Sequence, residues 1–196
     1  VKYENHIDNS DSTSFIVPKK PLQLLKNILN DVTGILNLQY TKTNIIFSFQ
    51  KMKIYCRLVD GNYPNYQAVI PQENPNLLTL ERNILLNSLK RVSIFSNQTT
   101  RQVKFEIQGS EINISGEDID FSNKAHEQLK CEYEGNDISI GFNGKFLIEV
   151  LNTLESDKIN MHFSTPSKAA IIKPTENDEE NENILMLVMP VMLNQN

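Results

Sequence analysis

The chain has no tryptophan and only two cysteines, Cys56 and Cys131. They lie far apart and in no CxxC pair, so they supply neither a zinc cluster nor a dithiol redox motif. Each alternates with apolar neighbours in a strand-like segment, which reads as a buried free thiol in a reducing compartment. Long hydrophobic runs are missing too. The longest, ILMLVMPVML at 184–193, is about half of what spans a bilayer and contains Pro190. The polar start, VKYENHIDNSDSTS, has no apolar core of the kind a signal peptide needs. A soluble, cytoplasmic protein without a membrane partner is expected, and the absent initiator Met points to a fragment or a processed chain. Positive charge is in deficit: 19 Lys and Arg against 24 Asp and Glu leave a net charge of -5. A simple nucleic-acid-binding module is usually basic. Any phosphate contact must therefore come from a local patch on an acidic body.

Catalytic signatures are equally scarce. His6, His126 and His162 stand in no metal-ligand spacing, and no P-loop, GxGxxG or GxSxG elbow occurs. His126 and His162 read as surface residues. Glu117, Asp118 and Asp120 cluster, but in a chain this acidic such a cluster arises by chance, and nothing sets one group as acid against another as base. The segment TENDEENEN, 175–183, lacks the spacing and glycine of a calcium loop and reads as a solvated surface loop. Gly34, Gly141 and Gly144 are isolated and fit turns or strand ends. No catalytic residue, metal or cofactor is expected.

What the chain does have is periodicity. Apolar residues at helical spacing predict helices over 18–29, with Leu22, Leu25 and Leu29 on one face, over roughly 81–95, and over roughly 143–155. Asn143 suits an N-cap. Between them the period becomes two: Ile45, Phe47, Phe49; Ile54, Cys56, Leu58; Val103, Phe105, Ile107; Ile112, Ile114; Leu129, Cys131, Tyr133; Ile138, Ile140, Phe142; Ile159, Met161, Phe163. Each set reads as a half-buried antiparallel strand. The order strand, helix, three strands occurs three times, starting near 14, 79 and 138, so the chain is an α+β repeat of units about 50 residues long. The Pro-containing stretch IPQENPNL, 70–77, separates the first unit from the second.

Basic residues favour the helices: Lys19, Lys20 and Lys26 on the first, Arg82, Lys90 and Arg91 on the second, Lys145 at the start of the third. Cations on the polar face of a helix are ordinary. Their repetition is less so, since stacked units would align these faces into one basic surface.

Five stretches, in order, resemble one family: FIVPKK (15–20), RLVDGNYPNYQAVIP (57–71), SLKRVSIFSNQTTRQVKFEI (88–107), ISIGFNGKFLIEVLNTL (138–154) and LMLVMPVML (185–193). They are similar to bacterial replicative sliding clamps, the beta subunits of DNA polymerase III, with the acidic segment and the C-terminal end most like the Bacteroidetes type. The resemblance implies a DNA-clamp fold of helix-plus-antiparallel-strand units with helices lining the DNA side. Residues 1–70 would be the second half of the middle domain, 71–78 a linker, and 79–196 the C-terminal domain. It implies a non-catalytic processivity factor, a homodimeric ring on duplex DNA in the full-length form. Lys19, Lys20, Lys145 and Arg101 would face DNA. An apolar pocket of Pro64, Val69, Phe146, Leu187, Met189, Pro190 and Val191 would take a short linear motif from the polymerase III alpha subunit, the clamp loader and repair polymerases. Ile94 and Phe95 would meet the other subunit. Phe146 stands where many members have Tyr. Without the resemblance, Leu187 and Met189 would read as core, and a β-rich interaction module with no DNA role, or a hydrolase of unrecognised chemistry, would remain open.

Overall fold

The computed structural model of the protein describes residues 14–30, 34–176 and 184–193. His6, the polar start and residues 177–183 of the acidic segment lie outside the described residues. The chain forms two compact units, Val1–Pro64 and Asn65–Asn196. This division precedes the expected linker at 71–78, whose last residues are already in a strand.

In the first unit, helix α1 (Lys19–Leu29) is followed by β1 (Asn37–Tyr40), β2 (Asn44–Phe49) and β3 (Met52–Arg57), an antiparallel sheet in that order. A single bridge joins Ile16 to Val59. Leu25, Ile45, Phe47, Phe49 and Cys56 form the core, with Ile28 and Leu29 packed on it. Leu22, expected on the buried face, is exposed: the core of this unit reaches only the C-terminal half of α1.

The second unit contains two repeats. The first is β4 (Asn76–Glu81), α2 (Arg82–Val92), β5 (Gln102–Gln108), β6 (Glu111–Asp118), β7 (Asn123–Lys130) and β8 (Glu132–Glu134). The second is β9 (Ile138–Asn143), α3 (Gly144–Thr153), β10 (Lys158–Phe163), β11 (Ala170–Pro174), β12 (Met186–Val188) and β13 (Pro190–Val191). The two sheets run β12-β11-β10-β4-β8 and β13-β9-β5-β6-β7. Replacing every element of one repeat by its counterpart converts the first order into the second, so the unit has an internal two-fold. Each repeat lends its first strand to the other's sheet. Leu85, Leu89, Leu147 and Leu151 from the helices and Phe105, Phe142 and Phe163 from the strands fill one shared, fully buried core, in which Phe105 and Phe142 meet edge to face with centroids 5.4 Å apart.

The local chemistry follows the pattern of residues. Val103, Phe105 and Ile107 lie opposite Gly116, Ile114 and Ile112, and the turn between the strands places Gly109 at φ +55, a left-handed conformation that glycine adopts without strain. The set Leu129, Cys131, Tyr133 is not one strand. It breaks at Cys131, with β7 joining β6 and β8 joining β4. The Cys131 amide instead donates to the Ser110 carbonyl at 2.9 Å. Alternation continues through the break, so the period cannot reveal it. His162, expected on an exposed face, is half-buried because β10 has a neighbour on either side. Burial first, then Lys173, holds its pKa below the ordinary value.

Two cations read as surface charge are spent on structure. Arg82 donates to the carbonyls of Ser156 (2.8 Å) and Leu151 (3.0 Å). Arg91 makes a fork onto both carboxylate oxygens of Glu127, at 2.6 and 2.7 Å, tying α2 to β7 in the bidentate geometry arginine favours. That hydrogen-bonded pairing holds the Glu127 carboxyl below the usual glutamate value.

Two outcomes are expected in urea denaturation of the chain. Leu85→Ala, at a fully buried helix position, lowers stability by about 2–5 kcal/mol. Glu127 has its pKa depressed in the folded state, so its contribution is present at neutral pH and is lost as pH falls below the ordinary value of 4.5. Stability of Glu127→Gln therefore declines less steeply through that range than that of the parent.

Candidate functional site

The third helix and its surroundings hold most of the predicted site residues. Asn143 ends β9 and caps α3, its Oδ1 accepting the Lys145 amide at 3.0 Å. Its Nδ2 donates to the Thr100 carbonyl at 3.2 Å. The Gly144 amide donates to the Arg101 carbonyl at 2.8 Å, and the Arg101 amide to that of Asn97 at 2.7 Å. Arg101 itself has φ +50, a left-handed backbone that a non-glycine residue adopts at a cost; these hydrogen bonds hold it there. The start of α3 is thus stapled to the loop before β5.

This staple brings Lys145 and Arg101 to one cavity of about 470 Å³, together with Ile94, Ser93, Ile148 and Glu149. Lys145 Nζ stands 3.8 Å from Glu149 Oε1, one turn along the helix. At that distance and exposure the pair neutralises little of the ammonium's field. Ile94 and Phe95 occupy the short 3-10 turn Ser93–Phe95 that ends α2, and Ile94 is 76% exposed. Residues expected to face DNA and to face another subunit therefore line the same depression. Lys19 and Lys20 open α1 in the first unit, exposed and without an ion pair among the described residues. The structure unites two of the four predicted cations and leaves the other two in a separate unit.

The predicted apolar residues cluster in part. Pro190 and Val191 form β13 and pair with Phe142 and Gly141 of β9. Phe146 projects from the first turn of α3, 55% exposed, and Met189 is 59% exposed. Met189 lies where the chain leaves the β11 ladder and enters the β9 ladder, the counterpart of Cys131 in the first repeat. Leu187, in β12 opposite Ile171, is half-buried. Val69 ends the exposed 3-10 turn Tyr66–Val69. Pro64 is exposed at the end of the first unit.

Sequence reasoning missed two glycines. A Cβ on Gly141 would meet the Val191 carbonyl oxygen at 2.7 Å and Leu193 Cδ2 at 2.8 Å; one on Gly144 would meet Ser93 Oγ at 2.5 Å. Neither is a turn residue. Gly141 lets the last strand seat on β9, and Gly144 lets α3 close on the end of α2. A glycine inside an apolar strand was the available signal, since it marks close backbone approach. Among the described residues, no group of three or more His, Cys, Asp or Glu could hold a metal ion, and no helix is long and apolar enough to cross a membrane.

Comparison with known proteins gives the following matches. The family model "DNA polymerase III beta subunit, C-terminal domain" matches residues 67–191, and the model for the central domain of that subunit matches residues 1–65. Named beta sliding clamps from Borreliella burgdorferi and Bacillus subtilis are each 27% identical, over 93% and 94% of this chain but 46% and 48% of those proteins. Among solved structures, a DNA polymerase III beta sliding clamp from Pseudomonas aeruginosa bound to griselimycin superposes with a TM-score of 0.89 at 25% identity, covering 97% of this chain and 50% of that one. The beta subunit of Thermotoga maritima gives 0.86 at 27% identity, covering 97% and 51%. The chain spans about half the length of the curated relatives it matches.

Asn143→Ala should lower thermal stability by about 0.5–2 kcal/mol through loss of the cap. Faster amide exchange at Gly144 in that variant, measured by NMR, will show the loop at 97–101 released from the helix.

Proposed function

The chain belongs to the DNA polymerase III beta subunit family, and on that premise we propose that it works as part of a sliding clamp, a non-catalytic processivity factor of the bacterial cytoplasm. Such a clamp holds duplex DNA by topology and must not read its sequence. It needs weak attraction to phosphates and no contact to base edges. Lys19, Lys20, Lys145 and Arg101 supply that attraction, while the acidic remainder of the chain disfavours DNA elsewhere. Ile94 and Phe95 meet a second subunit to close the ring. The resemblance would give the clamp duplex DNA, polymerase subunits, the clamp loader and repair polymerases as partners.

One observation carries the partner-binding half of this reading. Pro190 and Val191 pair with the end of β9, from which the chain runs straight into α3 and Phe146, and Phe146 and Met189 are each more than half exposed. Large apolar side chains left in water beside one another are characteristic of a protein-binding surface. A methionine there adapts to varied ligands. That surface, to which Leu187 and Val69 of the same unit are assigned by the resemblance, takes a short linear peptide carrying apolar residues.

The test is a fluorescence-anisotropy titration of the chain with a labelled peptide of QLxLF type, alongside Met189→Ala. Saturable binding is expected, weakened about fivefold to tenfold by the substitution, the effect of losing one well-packed apolar contact. A folded protein that binds no peptide, or binds equally well without the methionine, sinks the pocket assignment.

A further inference from the structure

Among the described residues, β13 makes the shortest ladder of the second unit. It has two residues, Pro190 and Val191, which lie opposite Phe142 and Gly141. Proline carries no N–H, so the strand has a single backbone donor to offer. In the first repeat the strand after the switch between sheets, β8, has three residues that each carry an N–H, and it lies opposite Leu77, Leu78 and Thr79. Met189 stands between two ladders and is placed only if both are formed. Strand β12 fixes the chain before it through three pairs with β11. Strand β13 must fix the chain after it with less.

Side chains supply what the backbone lacks. Ile138, Ile140 and Phe142 belong to the core, so Gly141 lies on the opposite face of β9. It is buried all the same, because two side chains cover it. A Cβ on Gly141 would stand 3.2 Å from Val191 Cγ2 and 2.8 Å from Leu193 Cδ2. Val191 sits directly opposite the glycine. Leu193, two residues further on, reaches back over the same face, as long side chains do toward a diagonal neighbour. Leu193 is half-buried and belongs to neither hydrophobic core. The one contact described for it is with the bare backbone of Gly141, which a side chain at 141 would push away.

We propose that Leu193 is a positioning residue for the peptide surface. Closed over Gly141, it keeps β13 on β9 and so holds Met189, Pro190 and Val191 where a peptide meets them. The role rests on the assignment of those three residues to peptide binding; the latch itself does not. Leu193 acts without touching the peptide, through the fraction of molecules in which β13 is seated. A protein whose competent form is only partly populated binds with an affinity reduced by that fraction. Gly141 is the other half of the latch. Any side chain there also meets the Val191 carbonyl oxygen at 2.7 Å, so the strand must lift.

Two measurements on the full chain test this together: anisotropy titration with the QLxLF-type peptide, and methyl NMR of the methionines in the free protein. Leu193→Ala is expected to weaken peptide binding about fivefold, the seated fraction falling to about a fifth. In the free protein it moves the Met189 methyl resonance toward that of an unrestrained methionine. The thermal unfolding midpoint stays that of the parent, since Leu193 lies outside the core. Leu193→Met keeps an apolar side chain of similar volume and retains both parent signals. Gly141→Ala reproduces the changes of Leu193→Ala, with circular dichroism confirming the fold; should it not fold, Leu193→Ala carries the test. In a Met189→Ala background, Leu193→Ala costs clearly less than in the parent, because it acts through the residue already removed. A Met189 methyl unmoved by Leu193→Ala overturns the proposal, even if affinity falls, since Leu193 then meets the peptide itself. A freed methyl with unchanged affinity overturns it too. If the parent binds no peptide, the peptide reading fails, and the Met189 methyl in Leu193→Ala alone decides the latch: freed supports it, unmoved overturns it.

Discussion

A single repeat of this chain cannot bury its own apolar surface. One amphipathic helix over three strands leaves a helix stripe and a sheet edge without cover, and an unpaired edge strand exposes backbone groups that seek partners. In the second unit the debt is settled by exchange: β4 and β9 cross into each other's sheets, and Leu85 and Leu147 disappear into a common core. The stability of either half is thereby inseparable from that of the other. The sheet corners, the helix ends and the surface residues all take their positions from this exchange.

Much of the fold was legible because two periods are hard to mistake. Apolar residues at 103, 105 and 107, then at 112 and 114 across a Gly-Ser turn, could form little but a hairpin. Asn143 before an apolar helix announced its cap. The repeat was visible as an order of elements even where identity was slight. What escaped were facts of partnership. No local pattern says that the strand through Cys131 changes sheets, because the pleat continues across the break. Leu22 looked like core since its spacing is right; burial also needs something on the other side. Of the candidate site, Phe146, Met189, Lys145 and Arg101 came from resemblance, and spacing alone would have assigned Met189 to the interior.

Charge shows the same division between pattern and partnership. Arg82 and Arg91 share the helix with Lys90, and in sequence all three are equivalent. In the fold, one arginine closes the end of α3 through two carbonyls and the other clamps Glu127. Arginine's fork suits both tasks, where a lysine would offer a point charge. Lys90, exposed beside them, makes no ion pair among the described residues.

Met189 occupies the gap between two ladders. Backbone on either side is fixed by pairing with β11 and with β9, but the residue between belongs to neither. Its side chain is consequently released from the alternation that commits its neighbours to core or solvent. A substitution at such a position leaves both ladders and the core beneath them in place. The position is thus one where side-chain chemistry is free to vary without touching the scaffold that holds it.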